Sequence, residues 1–384
     1  MNEIPSISIP DGLLPADGRF GSGPSRIDPD AVQRLADTGT AFLGTSHRRP
    51  TVQSLVGRIR EGLSSLYALP DGYEVVLGVG GATAFWDVAA MSLIERRSAH
   101  FTCGEFSGKF AAVAARAPHL ESPVVVDVAP GNAPQPRSID GVDAAAFIHN
   151  ETSTGVRADF GRFGGEIVLV DGTSAAGAIH VDPLAFDAYY FSPQKAFGSD
   201  GGLWIALVSA AAVDRAQEIE AERPVPVFLS FTTAIDNSRL DQTYNTPALA
   251  TLWLLAARID ELAERGGLAA AQATAEASSD HCYRWAETSP YASPFVEDPT
   301  FRSPTVVTVD IDPSIAASEI TRHLRANGIV DIDGYRKLGR NQIRIATFPT
   351  IPTTDIEALT SCIDFVVDAI APDRCTGTMD PCAI

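Results

Sequence analysis

The chain has 384 residues, 45% of them hydrophobic, and a formal net charge of −19. That length suits two globular domains, or one large domain with a smaller appendage, and so acidic a balance argues against nucleic acid or an anionic membrane surface as partner. No apolar run reaches the roughly 18 residues of a membrane span, residues 1–17 lack the basic start and apolar stretch of a signal peptide, and five scattered cysteines without a CxxC pair (Cys103, Cys282, Cys362, Cys375 and Cys382) fit reduced thiols in a cytoplasm better than a disulfide framework or a zinc site.

Along the chain, short apolar runs alternate with longer amphipathic stretches, the pattern of an α/β protein. The expected order is helix 51–66, strand 73–79, helix 83–95, strand 99–103, helix 106–116, then strands 123–128, 144–149, 166–171, 188–191 and 203–208. Helices 210–220, 247–264 and 269–288 follow. The strands are nearly continuous in apolar residues, which predicts a mainly parallel seven-stranded sheet covered on both faces. After about residue 290 the rhythm restarts with strand 305–311, helix 316–327, strand 343–348 and helix 353–370. The expected division is therefore a large unit at 17–289 and a small one at 290–372, with 1–16 packing nearby. Residues 373–384 read as a loose polar tail.

Asp171 closes the apolar run Ile167-Val168-Leu169-Val170, at the carboxyl end of a strand, where open α/β sheets bind ligands. Alone it would be an ordinary cap of the turn Gly172-Thr173-Ser174. The next strand, however, leads into Ser192-Pro193-Gln194-Lys195. A pyridoxal-phosphate (PLP) enzyme needs a lysine to carry the cofactor as an imine and a carboxylate to keep the pyridine nitrogen protonated. An Asp and a Lys at successive strand ends provide that pair.

Other segments fit the same cofactor less specifically. Gly80-Gly81-Ala82-Thr83 follows a strand and opens a helix, which suits a phosphate, with Thr83 available as N-cap or hydroxyl donor. Phe106, just past a strand, is placed to stack on a flat ring, though a core role is commoner for any one aromatic. Asn150-Glu151-Thr152 offers Thr152 to a ring hydroxyl. Two basic spots interrupt the acidic composition: His47-Arg48-Arg49, and Tyr335-Arg336-Lys337 followed by Arg340 and Arg344. Such concentrations suit anions, because arginine pairs a carboxylate or phosphate through two N–H groups. Pro247 suits a first helical position and Thr246 the N-cap before it.

Together, Phe20-Gly21-Ser22-Gly23-Pro24, Ser46-His47-Arg48, Asn150-Glu151-Thr152-x-x-Gly155, Asp171-x-x-Ser174, Gln194-Lys195 and Tyr244-Asn245-Thr246-Pro247 make the chain resemble the phosphoserine aminotransferases, in class V of the fold-type I PLP enzymes. The resemblance runs from Phe20 to about Ile370. It implies PLP on Lys195, Asp171 at the pyridine nitrogen and Phe106 on the ring. It implies Gly81, Ala82, Thr83 and Gln194 at the cofactor phosphate, Thr152 at the ring hydroxyl, and a homodimer in which Asn245 and Thr246 reach the partner's cofactor. Arg344 would take the substrate carboxylate, and His47, Arg48 and Arg336 its phosphate. The implied substrates are glutamate and a phosphorylated keto acid, without a metal. Two departures stand out: the Gly-rich turn lacks the arginine of the best-known branch, whose ring stacker is Trp rather than Phe, and Tyr335 precedes Arg336 where His is expected. Arg49 and Lys337 are candidates to replace the missing charge. The same core also serves alanine–glyoxylate and serine–pyruvate aminotransferases. A cysteine desulfurase would need a mobile nucleophilic Cys, and a non-catalytic nucleotide-binding protein would leave Lys195 and Asp171 without a joint role.

Overall fold

The computed structural model describes residues 7–371; the tail expected at 373–384 lies outside the described residues. The strands are β1 (Glu74–Val79), β2 (Ser98–Thr102), β3 (Val124–Asp127), β4 (Ala144–Ile148), the two-residue pair β5 (Asn150–Glu151) and β6 (Val156–Arg157), β7 (Ile167–Asp171), β8 (Ala188–Phe191), β9 (Leu203–Val208), β10 (Ala292–Pro294), β11 (Val306–Ile311) and β12 (Gln342–Ala346). Seven of them form one sheet in the order β1-β9-β8-β7-β4-β2-β3. Its neighbours pair in parallel except at β9, which runs antiparallel to both β1 and β8. Each of the seven strands expected in this sheet is present within a residue or so at either end.

Every residue of β4, β7, β8 and β9 is buried, which explains why their sequences do not alternate with polar residues; β2 is buried too, although Ser98, His100 and Thr102 alternate along it with Ala99 and Phe101. Alternation shows instead in which layer each side chain enters. Val168, Val170, Tyr189 and Phe191 pack with helices α1 (Pro29–Asp37), α2 (Pro50–Leu66) and α7 (Leu249–Glu264). Leu169 and Tyr190 face the other way, toward α3 (Ala82–Ser92), α4 (Glu105–Arg116), α5 (Ala210–Glu222) and α6 (Phe231–Arg239).

Helices α1 and α6 are absent from the expected pattern. Each has nine residues, short for a helix; α1 buries only Ala31 and Leu35, whereas α6 buries Phe231, Ala234, Ile235 and Ser238 at helical spacing. Their caps were legible: Asp28 accepts from Asp30 N–H before Pro29, and Ser230 accepts from Thr233 N–H.

A second core joins the antiparallel sheet β10-β11-β12 to α9 (Ala317–Ala326), α10 (Thr353–Ile370) and the N-terminal residues Ile9 and Phe20. Helix α8 (Gly267–Thr288) spans both cores, giving Ala271 to the first and Ala275, Cys282, Tyr283 and Ala286 to the second.

At the amino ends of the central strands, Asp187 is 1% exposed. Its carboxylate accepts from Arg162 at 2.6 and 2.8 Å, from Ser209 Oγ at 2.6 Å and from the Val168 N–H at 2.9 Å. It thereby ties β7, β8 and β9 together below the ligand end of the sheet. Asp187→Ala should lower the unfolding free energy by about 3 kcal/mol, since it strands the buried Val168 N–H and Ser209 hydroxyl; urea titration of the two proteins measures it, and a loss below about 1 kcal/mol would show that the junction holds without the carboxylate.

Candidate active site

A cavity of about 400 Å³ opens at the carboxyl ends of β4, β7 and β8, bounded by the turn between β1 and α3. Lys195, 7% exposed, reaches into it from the turn after β8, and its Nζ donates to Thr152 Oγ1 at 2.7 Å. Its Nζ lies 5.5 Å from the centroid of Phe106. Gly23 explains part of this burial: a Cβ there would stand 2.8 Å from Lys195 Cε, at a φ of +147° that side chains rarely adopt. The Phe-Gly-Ser-Gly-Pro segment thus lies directly on the lysine stem. Burial drives the Lys195 amine down to about 8, and Arg344 pushes the same way, while Asp171 and Glu151 oppose them.

Asp171 ends β7, 6% exposed. Its Oδ1 accepts from Thr173 N–H at 2.9 Å and its Oδ2 from the Trp86 indole at 3.3 Å. Burial raises its pKa, and Thr173, Lys195 and Trp86 hold it back. Gly172 is required beside it, because a Cβ there would meet the Tyr189 ring at 2.2 Å. Arg344, on β12, donates from Nη1 to the Thr152 carbonyl at 3.2 Å and lies over the Tyr335 ring at 5.3 Å. Thr152 therefore touches both cations of the cavity.

Gly81, Ala82, Thr83 and Gln194 also line the cavity. Thr83 is not the cap: Gly81 is the N-cap of α3, at a φ of +85°, with no side-chain cap bond. The first N–H groups of α3 have no partner within the helix, which suits an anion. Five buried polar atoms on the wall, Ser22 Oγ, Asn150 Oδ1, Thr173 Oγ1, Gln194 Oε1 and Arg344 Nε, have no hydrogen-bond partner among the described residues. Such groups are costly unless something satisfies them, so the wall is shaped for a polar ligand. An amine, a carboxylate, a helix N-terminus and a flanking aromatic ring fit PLP.

The remaining candidates lie elsewhere. Arg336 is exposed on an adjoining cavity of about 600 Å³ that shares Ser22, Gly23, Tyr335 and Arg344. Lys337 is engaged by Glu105, so its charge is not idle. His47 and Thr246 meet through a 3.2 Å contact of Nδ1 and Oγ1. With exposed Arg48 and Asn245 they form a patch outside the lining of the chain's own cavity. Thr246 is not an N-cap either; Ala248 holds that position and the helix begins at Leu249, while the Thr246 hydroxyl meets His47. Burial, then Arg48, holds His47 below the ordinary histidine range.

Two residues of the site escape sequence reasoning. Trp86 sits one helical turn beyond Ala82, inside an apolar stretch that reads as plain core. Glu151 is 0% exposed and accepts from five donors: Phe106 N–H at 3.3 Å, Ser107 N–H at 3.0 Å and Oγ at 2.9 Å, and Ser153 N–H at 3.2 Å and Oγ at 2.6 Å. It caps α4 from another segment and so sets the position of Phe106. Glu151→Ala should cost about 3 kcal/mol by leaving buried donors unpaired and should weaken PLP binding, with Glu151→Gln intermediate in both. Thermal melts and PLP titration of the apoprotein test this; unchanged affinity in the alanine variant would remove Glu151 from the placement of Phe106.

A family model described as aminotransferase class-V matches residues 20–336. The chain is 54% identical over 369 residues to the phosphoserine aminotransferase of a Nocardioides species, covering 94% of this chain and 99% of that one. It is 51% identical over 370 residues to the putative phosphoserine aminotransferase of Mycobacterium leprae, covering 95% and 98%. Among solved structures, the phosphoserine aminotransferase of Cytophaga hutchinsonii superposes with a TM-score of 0.84 at 22% identity, covering 91% of this chain and 99% of that chain. The fold, a full-length match to close relatives and a cavity fitted to PLP agree: the chain belongs to the class-V aminotransferases, a family of PLP-dependent transaminases.

Proposed function

We propose that the chain moves an amino group from glutamate to 3-phosphohydroxypyruvate, yielding 2-oxoglutarate and O-phosphoserine for serine biosynthesis. The observation that carries this reading is one cavity faced by the Lys195 amine, the Asp171 carboxylate and the Arg344 guanidinium. The relatives' names supply the phosphorylated substrate. A four-carbon phosphorylated keto acid on the route to pyridoxine suits the same groups.

When bound, PLP supplies an electron sink for negative charge at the substrate Cα. An amine with a pKa near 8 is partly neutral at physiological pH, so Lys195 Nζ can take the Cα proton and return it. Thr152 Oγ1 accepts from Nζ and orients it. Asp171 holds the negative charge that keeps a pyridine nitrogen protonated. Phe106 would cover the ring, and Gly81, Ala82 and Thr83 at the start of α3, with Gln194 beside them, would hold the cofactor phosphate. Arg344 binds the substrate α-carboxylate through its planar fork. Arg336 and the His47–Arg48 segment take the substrate phosphate.

The patch of His47, Arg48, Asn245 and Thr246 supports a homodimer with shared sites, because these residues lie together yet outside their own chain's cavity. In this reading the large unit 17–289 carries the cofactor, and the small unit 290–372 contributes Arg336 and Arg344. Cys103, Cys282 and Cys362 are free and buried, which supports a cytoplasmic setting.

The substrate is tested by single half-reactions of the PLP-loaded protein with phosphoserine, glutamate, alanine and serine, followed by the cofactor spectrum. Phosphoserine and glutamate should convert it, and Arg48→Ala should slow phosphoserine about 10- to 100-fold more than glutamate, the loss of one charged contact of about 1.5–3 kcal/mol. Alanine reacting as fast as phosphoserine would overturn the phosphorylated substrate. The shared site is tested by mixing Lys195→Ala chains with Asn245→Ala/Thr246→Ala chains. Hybrids should regain one intact site; activity no higher than either parent's, with subunit exchange demonstrated, would refute it.

A further inference from the structure

Trp86 belongs to no part of the chemistry described above, yet it lines the cavity and is 4% exposed. Its position follows from α3. Ala82 and Trp86 are four residues apart, so they project from one face of the helix on successive turns. The first turn of α3 presents backbone N–H groups, and the next delivers the Trp86 indole to the Asp171 carboxylate. The indole is fixed in its turn: it stacks on Phe110 with centroids 6.1 Å apart and planes inclined by 13°.

The two oxygens of Asp171 have separate donors from separate elements. Oδ1 accepts from the backbone N–H of Thr173, in the turn after β7, and Oδ2 from Trp86 Nε1, on α3. A carboxylate held by one donor alone can rotate about its Cβ–Cγ bond. Held by two, its plane is set, and the remaining lone pairs keep one direction. Both donors also favour the ionised form, against a burial that favours the neutral acid.

We propose that Trp86 is a positioning residue, whose indole N–H orients the Asp171 carboxylate toward the pyridine nitrogen of PLP and couples that carboxylate to the helix that receives the cofactor phosphate. The proposal rests on the PLP reading. It implies that Trp86 strengthens cofactor binding through Asp171 rather than by filling space.

The test is equilibrium titration of apoprotein with PLP in four forms: native, W86F, D171N and W86F/D171N. Phenylalanine retains an aromatic ring against Phe110 and removes the N–H donor together with part of the indole's volume; the volume loss is common to both backgrounds, so the comparison with D171N isolates the donor. W86F should raise the PLP dissociation constant about 10-fold, at the low end for a hydrogen bond to a charged group, and should add less than 2-fold in the D171N background. Equal losses in both backgrounds, or none in either, would overturn the role. If W86F loses the native circular dichroism, W86H and W86L are compared instead. W86H restores a ring N–H, and its failure to bind PLP more tightly than W86L would equally overturn the proposal. Native protein that binds no PLP would defeat the PLP reading itself, a separate outcome.

Discussion

Much of this molecule is organised around keeping water away from one amine. Lys195 is buried to 7% exposure with no carboxylate in ion-pair contact among the described residues, and its Nζ rests on the Thr152 hydroxyl. Burying a cation costs free energy that a hydroxyl cannot fully offset, and the result is an amine shifted to about 8, which gives up its proton far more readily than a free lysine. Asp171 and Glu151 moderate the shift from a distance, while Arg344 deepens it. The reactivity of the lysine is therefore a property of the enclosure, and each wall of that enclosure comes from a different part of the chain.

The enclosure depends on rigid supports behind it. Strand ends bring Asp171 and the Lys195 turn to the same side of the sheet, and Asp187 joins β7, β8 and β9 at the other end. Glu151 satisfies the start of α4 from the β5 segment, so a buried anion does structural service within a few residues of Thr152. Segment 20–24 crosses from the second core and lies on the lysine, with Phe20 packed among the residues of β11 and β12. The same short segment is therefore packed into the smaller layer at Phe20 and into the cavity wall at Gly23.

Much of the fold could be read directly. Most strands of the main sheet are nearly continuous apolar runs between turn residues, the exceptions being β2, with Ser98, His100 and Thr102, and β3, which is exposed along one face. Helices α1 and α6 escaped because each is only nine residues long, although the buried positions of α6 have helical spacing and Asp28 and Ser230 stand as caps. Thr83 and Thr246 show the converse error. Each hydroxyl stood beside a helix start and looked like a cap, but the helices begin one residue before Thr83 and three after Thr246, and Thr246 engages His47 instead.

What the sequence determined by itself was the pairing of chemical types: an Asp and a Lys at successive strand ends, a Gly-rich turn opening a helix, and arginines gathered in an acidic chain. These follow from local order, because a strand end and a helix start each have fixed geometry over a few residues. Contacts between distant segments were decided only by the tertiary structure. Glu151 reads as one more polar residue in a turn until α4 is laid over it. Trp86 reads as core until its helix brings the indole to Asp171, 85 positions away. Likewise the separation of His47, Arg48, Asn245 and Thr246 from the cavity has no local signature. Burial and partnership depend on which surfaces meet, and only the packed chain sets that.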